Sequence, residues 1–84
     1  MDTKQEFMLH MDQLHTTSLG KQRIQKNLSM TYDEMLCMCK QCIMNNQAIV
    51  KRKGKNWYVA MNDIIITIHA NSYTIITAHK GKHV

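Results

Sequence analysis

Proline is absent from this chain of 84 residues, and only three glycines are present. Nothing reads as a proline-rich or glycine-rich linker, and neither a low-complexity segment nor an internal repeat is visible. One domain over residues 1–84 is the expectation, with a helical half at 3–46 and an antiparallel sheet at 48–80. Acidic side chains are scarce, six against eleven Lys and Arg, which gives a formal charge of +5 and a pI of about 9.3. That balance favours contact with nucleic acid or another polyanion, although a solvated basic surface has the same composition. No apolar run approaches the roughly 20 residues that span a membrane. Asp2, Lys4 and Glu6 interrupt any apolar leader. A cytoplasmic protein with no membrane contact is therefore expected. A chain this short buries only about 60–65% of its unfolded surface. A partner subunit would add to that, and a homodimer is among the expected assemblies.

Cysteine is confined to one cluster, Cys37, Cys39 and Cys42, in a C-x-C-x-x-C spacing. Zinc knuckles present thiol pairs from turns and need a second pair. Here the thiols fall mid-helix and no second cluster follows, so neither a metal nor another cofactor is expected. At 100° per residue Cys39 and Cys42 join Tyr32, Met35, Leu36 and Ile43 on one apolar stripe, while Cys37 points away. Buried thiols behave as small hydrophobes and suit a reducing compartment. The eight methionines likewise read as core filling.

Periodicity divides the remainder. Phe7, Met11 and Leu14 recur at helical spacing, predicting a first helix over 3–15 that also carries His10 and His15. Thr16, Thr17 and Ser18 offer N-caps for a second helix through Leu28, with Ile24 and Leu28 on its inner edge. Thr31 with Glu34 is a capping-box pattern for a third, ending at Asn45–Asn46 near Met44. Then the period drops to two. Ala48–Lys51, Asn56–Met61, Ile64–Ala70 and Tyr73–His79 read as strands, joined by turns at Arg52–Lys55, Asn62–Asp63 and Asn71–Ser72. The expected fold is α+β: three N-terminal helices packed on one face of a four-stranded antiparallel sheet, with a frayed tail at Gly81–Val84.

A two-residue loop at Asn71–Ser72 would pair Ala70 with Tyr73, Ile68 with Ile75 and Ile66 with Thr77. Ile64, Ile66, Ile68, Ala70, Tyr73 and Ile75 then share the covered face. The opposite face holds Ile65, Thr67, His69, Thr74, Ile76, Ala78 and Lys80, and His79 falls away from His69 unless a bulge intervenes. In the first hairpin Val50 would pair with Trp57, placing Lys51, Asn56 and Tyr58 beside Thr67, His69 and Thr74. Lys51, Arg52, Lys53 and Lys55 crowd a hairpin tip next to Trp57 and Tyr58, a combination suited to phosphate contact and base stacking. The same charges also protect a sheet edge.

LHTTSLGKQRIQKNL, RKGKNWYV and ITIHANSYTIITAHK together resemble a family of small bacterial proteins known only as a domain of unknown function. Its members show a T-x-L…R-I-x-x-x-L front, a K-G-K-N-x-Y strand and an I-T-I-N-x-x-[ST]-[YF]-x-[IV]-I-T-x-x-K ending. The resemblance runs from Leu14 to Lys80. This chain departs from it at His69, often Asn in the family, and carries His79 where Asp or His is usual. It implies a fold and no activity. Helices followed by an antiparallel sheet are also similar in architecture to barnase, colicin-type transfer-RNA nucleases and RelE-like toxins, which cleave RNA without metal. That analogy points to Lys51, Tyr58, Thr67, His69, Thr74 and Lys80.

Three functions follow as expectations. The first is a small basic module, bacterial or phage in origin, that binds nucleic acid or a nucleic-acid-handling protein through Lys51, Arg52, Lys53, Lys55, Tyr58, Thr67, Thr74 and Lys80. The second is a metal-independent ribonuclease with His69 as its acid or base and no partner group identified. The third, a winged-helix DNA binder, is disfavoured because its recognition helix would open on Tyr32-Asp33-Glu34 and turn apolar.

Overall fold

A computed structural model describes residues 3–81. Along the chain come α1 (Thr3–Leu9), a 3₁₀ turn (Met11–Gln13), α2 (Ser18–Leu28), α3 (Tyr32–Met44), β1 (Ile49–Lys53), β2 (Asn56–Met61), β3 (Ile64–His69) and β4 (Thr74–Lys80). The fold is α+β, and the strands form an antiparallel meander in the order β1-β2-β3-β4. Beyond Gly81, the expected frayed tail lies outside the described residues. Gly81 itself is tied down, its N–H donating to the Asp63 carbonyl at 2.7 Å.

The first helix is shorter than its apolar spacing predicts. It ends at Leu9, and Leu14 is already extended (φ −62°, ψ 131°). A competing partner explains the break. His15 forms a parallel bridge to Thr74, donating its N–H to the Tyr73 carbonyl (3.2 Å) and accepting from the Ile75 N–H (2.7 Å). A helix through His15 would leave this edge of β4 unpaired. Phe7 and Leu14 still reach the core, so the stripe is real although its backbone is not helical throughout.

The second and third helices follow local signals. Thr17 caps α2 by accepting from the Gly20 N–H (3.0 Å). Thr31 and Glu34 cap each other reciprocally on α3. The N–H and hydroxyl of Thr31 hold the Glu34 carboxyl below its ordinary value. Asn45 caps the other end, followed by Asn46 at φ 62°.

Gly20 lies against the side chain of Thr16. A Cβ there would collide with the Thr16 hydroxyl oxygen, which donates to the Ile75 carbonyl at 2.8 Å. In an ordinary helix, glycine to alanine gains about 1 kcal/mol. Here Gly20→Ala is expected to cost about 1–3 kcal/mol through overpacking and the lost hydrogen bond. Urea unfolding of the single and the Gly20→Ala/Thr16→Ala double variant checks this. Simple additivity of the two changes would count against the collision.

One core joins helices and sheet. Phe7, Ile24, Leu28, Met35, Cys39, Cys42 and Ile43 pack with Trp57, Val59, Met61, Ile64, Ile66, Ile68 and Ile75. Met35 and Met61 are core, whereas Met8 and Met44 are exposed, so methionine is not uniformly filling. Met1 lies outside the described residues.

The register differs from expectation at both outer hairpins. β1 runs to Lys53, and Gly54–Lys55 alone make the turn, with Gly54 at φ 62°. Val50 therefore pairs with Val59, and Arg52 pairs with Trp57. Between β3 and β4 the loop spans Ala70–Tyr73, closed by the Tyr73 N–H donating to the His69 carbonyl (2.8 Å), with Tyr73 at φ 56°. Ile68 pairs with Ile75 as expected, but a bulge then shifts the ladder. Ile66 meets Ala78 rather than Thr77. Beyond the bulge every β4 side chain changes face relative to the simple alternation. Asn62 and Asp63 both take positive φ, as a type I′ turn requires.

Candidate functional site

Cross-strand partners in a sheet share a face. The register therefore places side chains on the face opposite the helices in three rows. The first runs Lys53, Asn56, His69, Thr74. The second runs Lys51, Tyr58, Thr67, Thr77. The third runs Ile49, Ala60, Ile65, His79. Strands lie about 4.8 Å apart, so each row spans about 14 Å, and neighbouring rows are about 7 Å apart. The face is graded: basic and polar at the Gly54 hairpin, apolar at the other end.

His15 extends the first row beyond β4. Its Nδ1 donates to the Gln13 carbonyl (2.9 Å), which leaves Nε2 to accept from the Thr74 hydroxyl (3.0 Å). Thr74 in turn meets the Ser72 hydroxyl at 2.7 Å. On the other side of Thr74 stands its cross-strand partner His69, half-buried, with Nδ1 enclosed and without a hydrogen-bond partner. Asn56 pairs with His69, and its amide donates to the Tyr58 hydroxyl at 3.4 Å.

Of the residues singled out from sequence, Lys51, Lys53, Tyr58, Thr67, His69 and Thr74 meet on this face, and Lys55 sits in the adjoining turn. Two do not. Arg52 lies on the helix side, its guanidinium 5.3 Å from the centre of the Trp57 ring and its Nε donating to the Gly54 carbonyl. Lys80 aligns with Ile64, also on the helix side of the register, at the far end of the sheet. Both corrections have a backbone cause: the tighter first hairpin moves Arg52, and the bulge moves Lys80. The bulge also brings His79 onto the face of His69, reversing the expected separation. It stands four residues along the strands, about 13 Å away, too far to share a proton with His69.

Sequence reasoning missed His15, Ser72, Thr77 and the role of Asn56. Asn56 was within reach of a pairing argument. His15 was not, because its partner Thr74 is remote in the chain and nothing local marks the bridge.

The two sheet edges differ. On β4 the backbone is occupied by His15, by the Thr16 hydroxyl on Ile75 and by the Asn27 amide on Ala78 (3.3 Å). The β1 edge is exposed and carries Lys51, Arg52 and Lys53. Among the described residues, no helix is long and apolar enough to cross a membrane, and no group of three or more His, Cys, Asp or Glu could hold a metal ion.

Residues 8–79 match the model of a family described as "Protein of unknown function (DUF3781)". No curated protein and no solved structure matches the chain.

Proposed function

We propose that this chain, which belongs to the DUF3781 family, binds single-stranded nucleic acid on the open face of its sheet. The observation that carries this reading is the pair of polar rows, Lys53–Asn56–His69–Thr74 beside Lys51–Tyr58–Thr67–Thr77. Lys51, Lys53 and Lys55 are cations for phosphates along one flank. Tyr58 is a half-buried ring on which an unstacked base can lie, and Asn56, Thr67, Thr74 and Thr77 supply donors and acceptors for base edges and sugar hydroxyls. An open sheet face suits a splayed single strand. It offers no projecting helix for a major groove, and α3 spends Met35, Cys39, Cys42 and Ile43 on the core.

Titrating a labelled single-stranded oligonucleotide across a salt series tests the reading. For single strands log K falls with a slope of about −0.7 per phosphate neutralised. Three lysines then give a slope of about −2, or a loss of roughly twenty-fold between 50 and 200 mM salt. Changing Lys51, Lys53 and Lys55 together to Gln is expected to flatten that slope toward zero. An unchanged slope in the triple variant would remove the site. No binding even at low salt would remove the reading and leave a protein partner as the object of the face.

A further inference from the structure

We infer that the same face cleaves RNA, with His15 as general base and His69 as general acid on either side of Thr74; this rests on the nucleic-acid reading above. Metal-independent cleavage needs two proton-transfer groups flanking one phosphate. The parallel bridge of His15 to Thr74 and the pairing of Thr74 with His69 supply such a pair. Two strand spacings separate the two backbones, about 10 Å. Thr74 stands between the two side chains, hydrogen-bonded to His15, so its side chain would have to turn aside to admit a phosphodiester.

The hydrogen bonds assign the roles. The Gln13 carbonyl fixes the proton of His15 on Nδ1, so Nε2 faces Thr74 as an acceptor. A ribose 2′-hydroxyl in place of the Thr74 hydroxyl would give its proton to that nitrogen. The 2′-oxygen then attacks phosphorus and the bond from phosphorus to the 5′-oxygen breaks. His69 delivers a proton to the departing 5′-oxygen. A 2′,3′-cyclic phosphate and a free 5′-hydroxyl result; His15 then gives up to water the proton it took, and His69 takes one back. Nothing is oxidised or reduced. Lys53, in the same row, and Lys51, in the next, stand about 14 Å or more across the sheet from Thr74, so they would meet phosphates of neighbouring nucleotides rather than the reacting one.

Pure protein in chelator is incubated with a short single-stranded RNA, with its 2′-deoxy counterpart, and with an RNA carrying sulfur at the bridging 5′ position. The expected result is binding of all three and cleavage of the two that hold a 2′-hydroxyl. His15→Gln and His69→Gln are each expected to lose about 10²–10⁴-fold in cleavage rate while still binding the deoxy strand. Sulfur leaves without a proton, so the sulfur substrate restores His69→Gln and leaves His15→Gln impaired. The bridge at residue 15 is made by backbone atoms, so His15→Gln keeps it, and circular dichroism checks the fold of both variants. A deoxy strand that does not bind removes the nucleic-acid reading itself. Binding with intact RNA removes this inference alone. Cleavage that survives the double variant, or sulfur rescue of His15→Gln instead, overturns the assignment.

Discussion

Truncating Trp57 to alanine is expected to cost about 3–5 kcal/mol. At roughly 0.05–0.15 kcal/mol per residue the whole chain has about 4–13 kcal/mol to lose, so this one change leaves it marginal or unfolded. The indole is fully buried and packs against the Phe7 ring at 5.4 Å. Its pairing with Arg52 brings that guanidinium over the ring. Truncation thus opens a large cavity in the core and releases both the Phe7 contact and the Arg52 contact across the β1 hairpin. Urea unfolding followed by far-UV circular dichroism measures the loss, since the fluorophore is itself removed. A cost below about 1.5 kcal/mol would mean that the ring is not the packing centre of the sheet.

The three thiols are expected to differ in alkylation by orders of magnitude. Cys37 is exposed, whereas Cys39 and Cys42 are buried. Burial pushes the Cys39 thiol from an ordinary 9.0 up to about 12, with Cys42 adding to the rise and Lys40 opposing it. Near pH 8 such a thiol is ionised to about one part in 10⁴, and the thiolate is the reactive species. Iodoacetamide followed by mass spectrometry should find one adduct, on Cys37, in the native protein, and three in urea. Native labelling of Cys39 at the rate of Cys37 would contradict its place in the core. The same shift predicts a pH dependence. The folded value lies above the unfolded one, so the contribution to stability is whole below about pH 9 and is lost as pH rises toward about 12. Cys39→Ala should remove that alkaline loss while costing about 1–2 kcal/mol in packing.

The legible parts of the fold were those fixed by neighbours in sequence. The Thr31–Glu34 box is a side chain bonding backbone three residues away, and it formed as written. Asn62–Asp63 supplied two residues tolerant of positive φ, and β2 and β3 fell on either side of them. The Ile64, Ile66, Ile68 and Ile75 face followed from alternation alone. What escaped was set by partners far along the chain. The helical spacing of Phe7, Met11 and Leu14 is genuine, yet the edge of β4 claimed His15 and ended the helix early. Asn71–Ser72 looked like a complete turn, but the chain folds Tyr73 into positive φ, which its aromatic side chain does not advertise. The bulge that follows exchanged Ala78 and Lys80 for Thr77 and His79 on the open face. Most of the candidate site survived because Tyr58, Thr67, His69 and Thr74 all lie before that shift.

The unequal edges decide how copies of this sheet can meet. Extending a β-sheet from molecule to molecule into a fibre requires two free borders, one to receive and one to offer. Here His15, Thr16 and Asn27 occupy the β4 border at Tyr73, Ile75 and Ala78, which leaves β1 as the more open border. Two copies joined at β1 would each set Lys51, Arg52 and Lys53 against the same three cations of the other. The positive charge of β1 thereby guards that border against strand addition by like-charge repulsion.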